Sequence, residues 1–244
     1  MKFFFIFSIL FISHQLHAQP VVSKAQALAN ETIMMMGGAD AFNATNYIGW
    51  NYFDYRKIIW DKENDRVRVD YLTKDITIIA SLHREEGYLF MNGEEVTQPD
   101  SLKKYFDKAR KILMNDGYWL MMPFKLRDKG VTLTYIGEEK SILGNDCEVI
   151  QMTFNNVGVT PENKYLIYMN KEIRLIEAWK YFAHFDDETP EIINSWGNYK
   201  LYGNILLSSD RGTEGQLSEI HVWETLPSSI FIDKKISPFA ELGK

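Results

Sequence analysis

Histidine side chains are the first candidates for catalysis and metal binding, because imidazole transfers protons near neutral pH and binds metal ions. The chain has five histidines, of which His83, His184 and His221 follow the first 20 residues. No two of these three have the short spacing that zinc sites use. The sequence also contains no G-x-S-x-G elbow, H-E-x-x-H motif, glycine-rich phosphate loop or C-x-x-C pair. We therefore predict no metal, no cofactor and no catalytic motif, which favours a non-enzymatic protein.

One acidic segment has the side chains that calcium prefers. It runs from His184 to Glu188 and contains Asp186 and Asp187. Calcium takes six to eight oxygen ligands, and the sequence shows no further ligands beside this segment. A solvated hairpin turn before Pro190 is the favoured interpretation. Glycosidase-type carboxylate pairs are set by the fold rather than by spacing, so a hydrolase stays an alternative.

The segment most suggestive of ligand binding is Tyr118–Phe124, seven residues without a charge. Its adjacent methionines would make an adaptable apolar surface, although burial beneath the second helix is the alternative. The same two interpretations apply to Met34–Met36, where three consecutive helical side chains point in three directions. The predicted ligand-binding residues are Trp119, Met121, Met122 and Phe124, with Met35, Met36, Trp50 and Trp60 as weaker candidates.

Two helices are expected to position these residues. Ser23 and Gln26 form a capping-box pattern at the start of the first helix, which Gly37-Gly38 should end. The second helix should begin after Pro99 and end near Asn115–Gly117. Pro123 argues against a central strand in the segment that follows.

Most of the remaining chain alternates between apolar and polar residues, as half-buried strands do. Val67, Val69 and Tyr71 alternate with charged neighbours, and short turns such as Asn92-Gly93 favour antiparallel pairing. The sequence predicts a mainly β (α+β) fold: a large curved antiparallel sheet, an incomplete barrel of about ten strands, covered by two helices. Two helices of about a dozen residues should leave part of the apolar face uncovered, as a cavity for a ligand.

The first residues resemble a secretory signal. Lys2 precedes an apolar run, Phe3–Ile12, which is half the roughly 20 residues that span a bilayer. Ala18 suits the last position before cleavage, so we expect residues 1–18 to be a signal peptide and residues 19–244 to form a single half-barrel domain. The prediction is an exported protein, periplasmic or secreted, without a transmembrane anchor.

Charge and cysteine content exclude further classes of partner. The formal net charge is −6 and no basic run is present, which disfavours nucleic acid and anionic membrane surfaces. Cys147 is the only cysteine, so no disulfide can form within the chain. We interpret it as a small buried strand residue.

Several motifs resemble those of a group of exported proteins common in the Bacteroidota, mostly without assigned function. The motifs are Gly37-Gly38, Trp50–Phe53, Trp60-Asp61, Arg66–Asp70, Asn115–Phe124 and Val157–Pro161. That group is similar in architecture to the Lol lipoprotein carriers, in which helices close an incomplete antiparallel barrel over an apolar cavity. The resemblance implies the same half-barrel here.

The function predicted from these observations is an exported non-catalytic binding or carrier protein. Its ligand would be apolar, such as a lipid or an acyl chain, held between the curved sheet and the helices. The alternatives are an envelope protein-interaction or structural domain, and a hydrolase with an unrecognised site.

Overall fold

The computed structural model describes residues 22–155, 158, 160–234 and 239, so the predicted signal peptide lies outside the described residues. The α-helices of this part of the chain are α1 (Lys24–Met35), α2 (Gly38–Asn43) and α3 (Pro99–Lys125). The first seven strands are β1 (Tyr47–Tyr52), β2 (Arg56–Asp61), β3 (Arg66–Tyr71), β4 (Ile76–Ser81), β5 (Gly87–Met91), β6 (Glu94–Glu95) and β7 (Val131–Lys140). The others are β8 (Asp146–Phe154), β9 (Lys164–Asn170), β10 (Ile176–Phe182), β11 (Ile192–Ser195), β12 (Gly197–Tyr202), β13 (Ile205–Asp210) and β14 (Ser218–Trp223).

The strands form two large sheets and one hairpin. The first sheet has seven strands in the order β14-β1-β2-β3-β4-β5-β6, and the second has five in the order β11-β10-β9-β8-β7. Strands β12 and β13 pair with each other, and neighbouring strands run antiparallel throughout. The predicted mainly β, antiparallel and unclosed architecture is confirmed, with more strands than the ten expected and a third, short helix.

Helix α1 begins at the predicted capping box. The backbone N–H of Gln26 donates to the Ser23 hydroxyl, and the Ser23 N–H donates to the Gln26 side chain, each at 3.2 Å. These bonds satisfy two backbone donors that the first turn would otherwise leave unpaired. The helix ends at the predicted position, before Gly37.

Helix α3 is much longer than the sequence predicts. It does not end near Gly117 but continues to Lys125 and includes Pro123, for 27 residues in all. The expectation that Tyr118–Phe124 follows the helix is therefore wrong. The added turns matter because the prediction of an uncovered apolar face assumed a helix of about a dozen residues.

The inner face of the seven-stranded sheet packs on α3. Val67 and Val69 of β3 are fully buried there, together with Phe106 and Ala109 of the helix. The outer face is also covered, since Ile230 and Phe231 pack against Ile59 and its neighbours. Both faces of this sheet are thus covered by chain, whereas alternation in the sequence indicated one buried face.

Arg68 shows how the outer face accommodates a charged residue. Its side chain is 1% exposed and donates two hydrogen bonds to the Asp70 carboxylate. It also donates to the carbonyls of Ile230, Asp233 and Lys234. The guanidinium therefore links the C-terminal segment to the sheet by hydrogen bonds.

None of the described helices is long and apolar enough to cross a membrane.

Candidate functional site

The structure separates the eight residues predicted to bind a ligand. Four of them, Met36, Trp50, Met121 and Phe124, are buried in the core beneath the seven-stranded sheet. The added turns of α3 supply the last two of these, so they cover part of the apolar face of that sheet. These side chains pack against the protein itself.

The other four predicted residues lie in different surroundings. Met122 is buried against the five-stranded sheet. Trp60 packs at the edge of the first core beside the ammonium groups of Lys62 and Lys125. Met35 is 50% exposed on α1. Only Trp119 among the eight contributes to the candidate site.

The candidate site is a cleft between α3 and the five-stranded sheet, which we call the aromatic cleft. Its volume is about 360 Å³. The described residues that line it are Tyr52, Met114, Asn115, Asp116, Tyr118, Trp119, Phe154, Gly158, Thr160, Asn163, Tyr165, Trp179, Tyr181 and Ile192. Seven of these fourteen residues are aromatic, and Asn115, Asp116, Thr160 and Asn163 add polar groups.

Strand register brings three of the rings onto one side of the five-stranded sheet. Tyr181 of β10 lies directly opposite Tyr165 of β9, and Trp179 precedes Tyr181 by two residues. Side chains two residues apart on a strand share a face, which places all three toward α3. The Tyr165 ring stacks on Trp179 with a centroid separation of 5.2 Å. Phe154 of β8 meets Tyr165 edge-on at 6.0 Å.

Helix α3 supplies the opposite wall through two adjacent residues. The Tyr118 ring lies 6.5 Å from Tyr165 in a nearly parallel orientation. Trp119 meets Trp179 edge-on at 5.1 Å and Tyr52 edge-on at 6.3 Å. Edge-to-face pairs of this kind are favourable for aromatic rings and restrict their rotation. The cleft therefore has walls held in place by mutual packing.

The backbone of Trp119 is held by an unusual helix contact. Pro123 has no N–H, so it cannot donate to the carbonyl four residues earlier, which belongs to Trp119. The Arg211 guanidinium donates to that carbonyl instead, with Nε at 2.8 Å and a second bond from Nη2. Arg211 lies just after β13, so a residue distant in the sequence supplies the hydrogen bond that Pro123 cannot donate.

The five N–H groups of Arg211 are all used. Besides the Trp119 carbonyl, they donate to the hydroxyl and carbonyl of Ser208 and to the carbonyl of Asp210. The guanidinium also stacks over Trp196, 3.5 Å from its centroid. Burial lowers the pKa of Arg211 to about 9, so it stays charged at neutral pH.

The carboxylate in the cleft wall is already paired. Asp116 receives two hydrogen bonds from Arg56, at 2.6 and 2.9 Å. Burial raises the pKa of Asp116, and the hydrogen bonds from Arg56 offset only part of that rise. With both oxygens engaged, the carboxylate is poorly placed to act as a general base.

Several tyrosine hydroxyls in the cleft have no such partner. Within the described part of the chain, no hydrogen bond is formed by the hydroxyl of Tyr52, Tyr118 or Tyr165. Burial raises the pKa of all three, so they are protonated donors at neutral pH. Tyr181 differs, because its oxygen accepts a bond from Asn163 at 2.7 Å.

Two other features of the sequence have structural roles. In the acidic segment, the Lys164 ammonium donates to the carbonyls of Phe185 and Asp187. A protein cation thus binds two backbone carbonyls of the segment, and the Asp187 carboxylate accepts a hydrogen bond from the His184 backbone N–H. Among the described residues, no three His, Cys, Asp or Glu side chains cluster as a metal site requires.

Cys147 belongs to a buried polar cluster around Glu177. The Glu177 carboxylate accepts bonds from Ser141, from the amides of Asn145 and Asn170, and from the Cys147 thiol. Burial would raise the pKa of Glu177, but these bonds lower it overall. Burial and the neighbouring carboxylate raise the pKa of the Cys147 thiol to about 12, so it is not a nucleophile at neutral pH.

The comparisons with known proteins leave the family open. No family model matches the chain, and no curated protein matches it. Among solved structures, the chain is similar to a DUF1329 family protein from Desulfovibrio piger. The identity is 11%, the match covers 86% of this chain and 98% of that chain, and the TM-score is 0.45. A similarity at this TM-score supports no statement about function.

Sequence reasoning missed most of the cleft because its described residues are spread over α3, five strands and the loop between β8 and β9. A local signal was present in β10, where Trp179 and Tyr181 occupy alternate positions of one strand. Such a pattern indicates an aromatic face but does not distinguish a core from a pocket. The opposing residue, Tyr165, becomes informative only when the strand register is known.

Proposed function

We propose that the protein is an exported, non-catalytic binding protein that holds an apolar small molecule in the aromatic cleft. A lipid or an acyl chain is the ligand class that the sequence predicts. The observation that supports this most is the convergence of seven aromatic side chains on a cleft of about 360 Å³. Ligand sites are usually apolar and aromatic clefts of roughly 300–1,000 Å³ with a few polar groups.

The energetics of such a site are sufficient for useful affinity. Each CH₂ group removed from water contributes about 0.8 kcal/mol. Eight such groups would contribute roughly 6 kcal/mol, and aromatic contacts add to this before ordering costs are subtracted. Because the walls already pack against each other, little side-chain ordering is needed when a ligand enters.

The polar groups of the cleft favour binding over hydrolysis. Asp116 is the one carboxylate among the described lining residues, and Arg56 occupies both of its oxygens. A glycosidase needs two carboxylates across the reacting bond, and this cleft offers one that is already engaged.

Two other surface depressions are less suitable. They have volumes of about 470 and 480 Å³ and lie at hairpin ends. Their walls are mostly charged and polar turn residues, such as Asp146 and Lys171 in one and Asp65 and Arg84 in the other. Neither offers an apolar surface on which a lipid could be buried.

The proposal is tested with N-phenyl-1-naphthylamine, an uncharged probe that fluoresces in apolar sites. Met114 lines the cleft and is partly exposed, so Met114→Trp should fill the entrance and weaken probe binding about tenfold or more. Lys111→Trp, one turn away at an exposed position outside the lining, is the matched control. Solvent extraction and mass spectrometry of the purified protein would identify a lipid that co-purifies.

The result that contradicts the proposal is equally specific. Equal probe binding by the wild type and Met114→Trp would place binding elsewhere, and no binding by either protein would remove the cleft as a ligand site. The export prediction is tested separately by sequencing the N-terminus of protein from the periplasm or medium, where we expect Gln19 to be first.

A further inference from the structure

Three tyrosine hydroxyls of the cleft have no hydrogen-bond partner within the described part of the chain. Tyr52, Tyr118 and Tyr165 each carry a hydroxyl that no other described residue engages. None of these three oxygens is fully buried. A molecule in the cleft therefore meets hydroxyl groups that are ready to donate.

Trp179 also lines the cleft, but its indole N–H is not available to a ligand. That N–H is fully buried without a partner, and the residue as a whole is 2% exposed. A buried N–H without an acceptor is costly, on the order of 1–3 kcal/mol.

Positive charge is missing from the same surface. The described lining residues include no Lys, Arg or His. Two guanidinium groups that contact lining residues are already engaged by protein acceptors: Arg56 by both oxygens of Asp116, and Arg211 by the Trp119, Ser208 and Asp210 acceptors. A carboxylate or phosphate entering the cleft would lose its water without meeting a cation, which is strongly unfavourable.

A cationic ligand meets no free carboxylate on the same surface. The only carboxylate in the described lining is neutralised by Arg56, so an ammonium group would have aromatic ring faces as its main partners. The cleft thus offers free hydrogen-bond donors to a neutral acceptor, no cation to an anion and no free carboxylate to a cation.

We infer that the ligand of the aromatic cleft is an uncharged molecule with an apolar body and a ketone or ester oxygen that accepts from the cleft tyrosines. This inference rests on the proposed function and narrows it. An esterified acyl chain fits, whereas a free fatty acid or a phosphate-bearing headgroup inside the cleft does not.

Three naphthalene compounds of similar size test the inference at pH 7. They are 2-acetylnaphthalene, which is neutral with a carbonyl acceptor, 2-naphthoate, which is anionic, and naphthalene, which has no acceptor. Binding is measured by displacement of N-phenyl-1-naphthylamine. We expect the ketone to bind about tenfold or more tightly than the acid, and about three- to tenfold more tightly than the hydrocarbon.

Tyrosine variants connect this preference to the cleft. Tyr165→Phe and Tyr118→Phe should each reduce the ratio of ketone to naphthalene affinity by about three- to tenfold, because one donor is lost while the apolar wall is kept. Tyr55→Phe, at an exposed tyrosine outside the lining, should leave the ratio unchanged. Using the ratio removes any general effect of a substitution on packing.

The outcomes separate the two proposals. If all compounds and the probe fail to bind, the proposed function fails and this inference falls with it. If they bind but naphthoate matches the ketone, or naphthalene matches it, the protein is a binding protein and the neutral-acceptor inference is overturned.

Discussion

The contact between Arg211 and the Trp119 carbonyl makes a quantitative prediction about α3. Replacing Arg211 with Met removes five hydrogen bonds from a fully buried side chain and leaves backbone carbonyls without donors. Each buried polar group left unpaired costs about 1–3 kcal/mol, and partial relaxation limits the sum. We expect Arg211→Met to lower the free energy of unfolding by about 3–5 kcal/mol.

A second substitution isolates the contribution of the helix. Pro123→Ala restores a backbone N–H that can donate to the Trp119 carbonyl in the normal helical pattern. In the Pro123→Ala background the Trp119 carbonyl has a second donor. Arg211→Met should therefore lower the free energy of unfolding by about 1–1.5 kcal/mol less than it does in the wild type. The two substitutions are therefore predicted to be coupled although Arg211 and Pro123 are far apart in the sequence.

The coupling is measured by urea unfolding of the four proteins of this double-mutant cycle, followed by tryptophan fluorescence and circular dichroism. Ile79→Val, in the separate core on the outer face of the seven-stranded sheet, is the control. Ile79→Val should lower the free energy of unfolding by about 1 kcal/mol both in the wild type and in the Pro123→Ala variant. If Arg211→Met lowers the free energy of unfolding equally in the two backgrounds, within about 0.5 kcal/mol, then Arg211 does not replace the hydrogen bond that Pro123 cannot make.

Two further predictions concern the scaffold. Glu177 has a folded pKa below its ordinary value of 4.5, so its hydrogen bonds stabilise the fold above that pH and lose their effect as the pH falls through the folded pKa. The difference in Tm between wild type and Glu177→Gln should hence shrink from pH 7 to pH 3, and a constant difference would contradict the assignment. Gly37 and Gly38 both have positive φ, but a Cβ at Gly37 would lie 2.3 Å from the Asn204 carbonyl oxygen while one at Gly38 meets nothing within 4 Å. Gly37→Ala should therefore lower Tm clearly more than Gly38→Ala in a thermal melt, and equal losses would show that the close approach is unimportant.

Local features of the sequence predicted those elements whose signals are also local. The capping box of Ser23 and Gln26 identified the start of α1, and the alternation around Val67 and Val69 identified β3. Both patterns report contacts within a few residues or on one strand face. Consequently, element type and the antiparallel class of the sheet were predictable without coordinates.

The C-terminal half of α3 was not predictable in the same way. Gly117 and Pro123 are normally signals that a helix has ended. Here the proline is tolerated because the Arg211 guanidinium donates to the Trp119 carbonyl, and no local sequence pattern predicts that contact. The outer face of β3 was missed for a similar reason, since Arg68 is buried only when the C-terminal segment folds across it.

The candidate site was only partly accessible to sequence reasoning. An uncharged apolar segment drew attention to Trp119, which lines the candidate cleft, but burial in a core and exposure in a pocket impose the same residue types on Met121 and Met122. Whether a residue of this segment lies in a core or lines the cleft depends on the face of α3 that its side chain occupies. That face was unknown while the segment was expected to be non-helical.

Helix α3 belongs to both main cores of the molecule. Phe106 packs beneath the seven-stranded sheet, and Met122 packs against the five-stranded sheet. Neither sheet can open without detaching from the same helix, so the central amides of α3 should exchange hydrogen with solvent only when the two sheets open together. The aromatic cleft has this helix as one wall. Ligand entry should thus depend on rotation of partly exposed side chains at its rim, such as Met114, and not on hinged separation of the sheets.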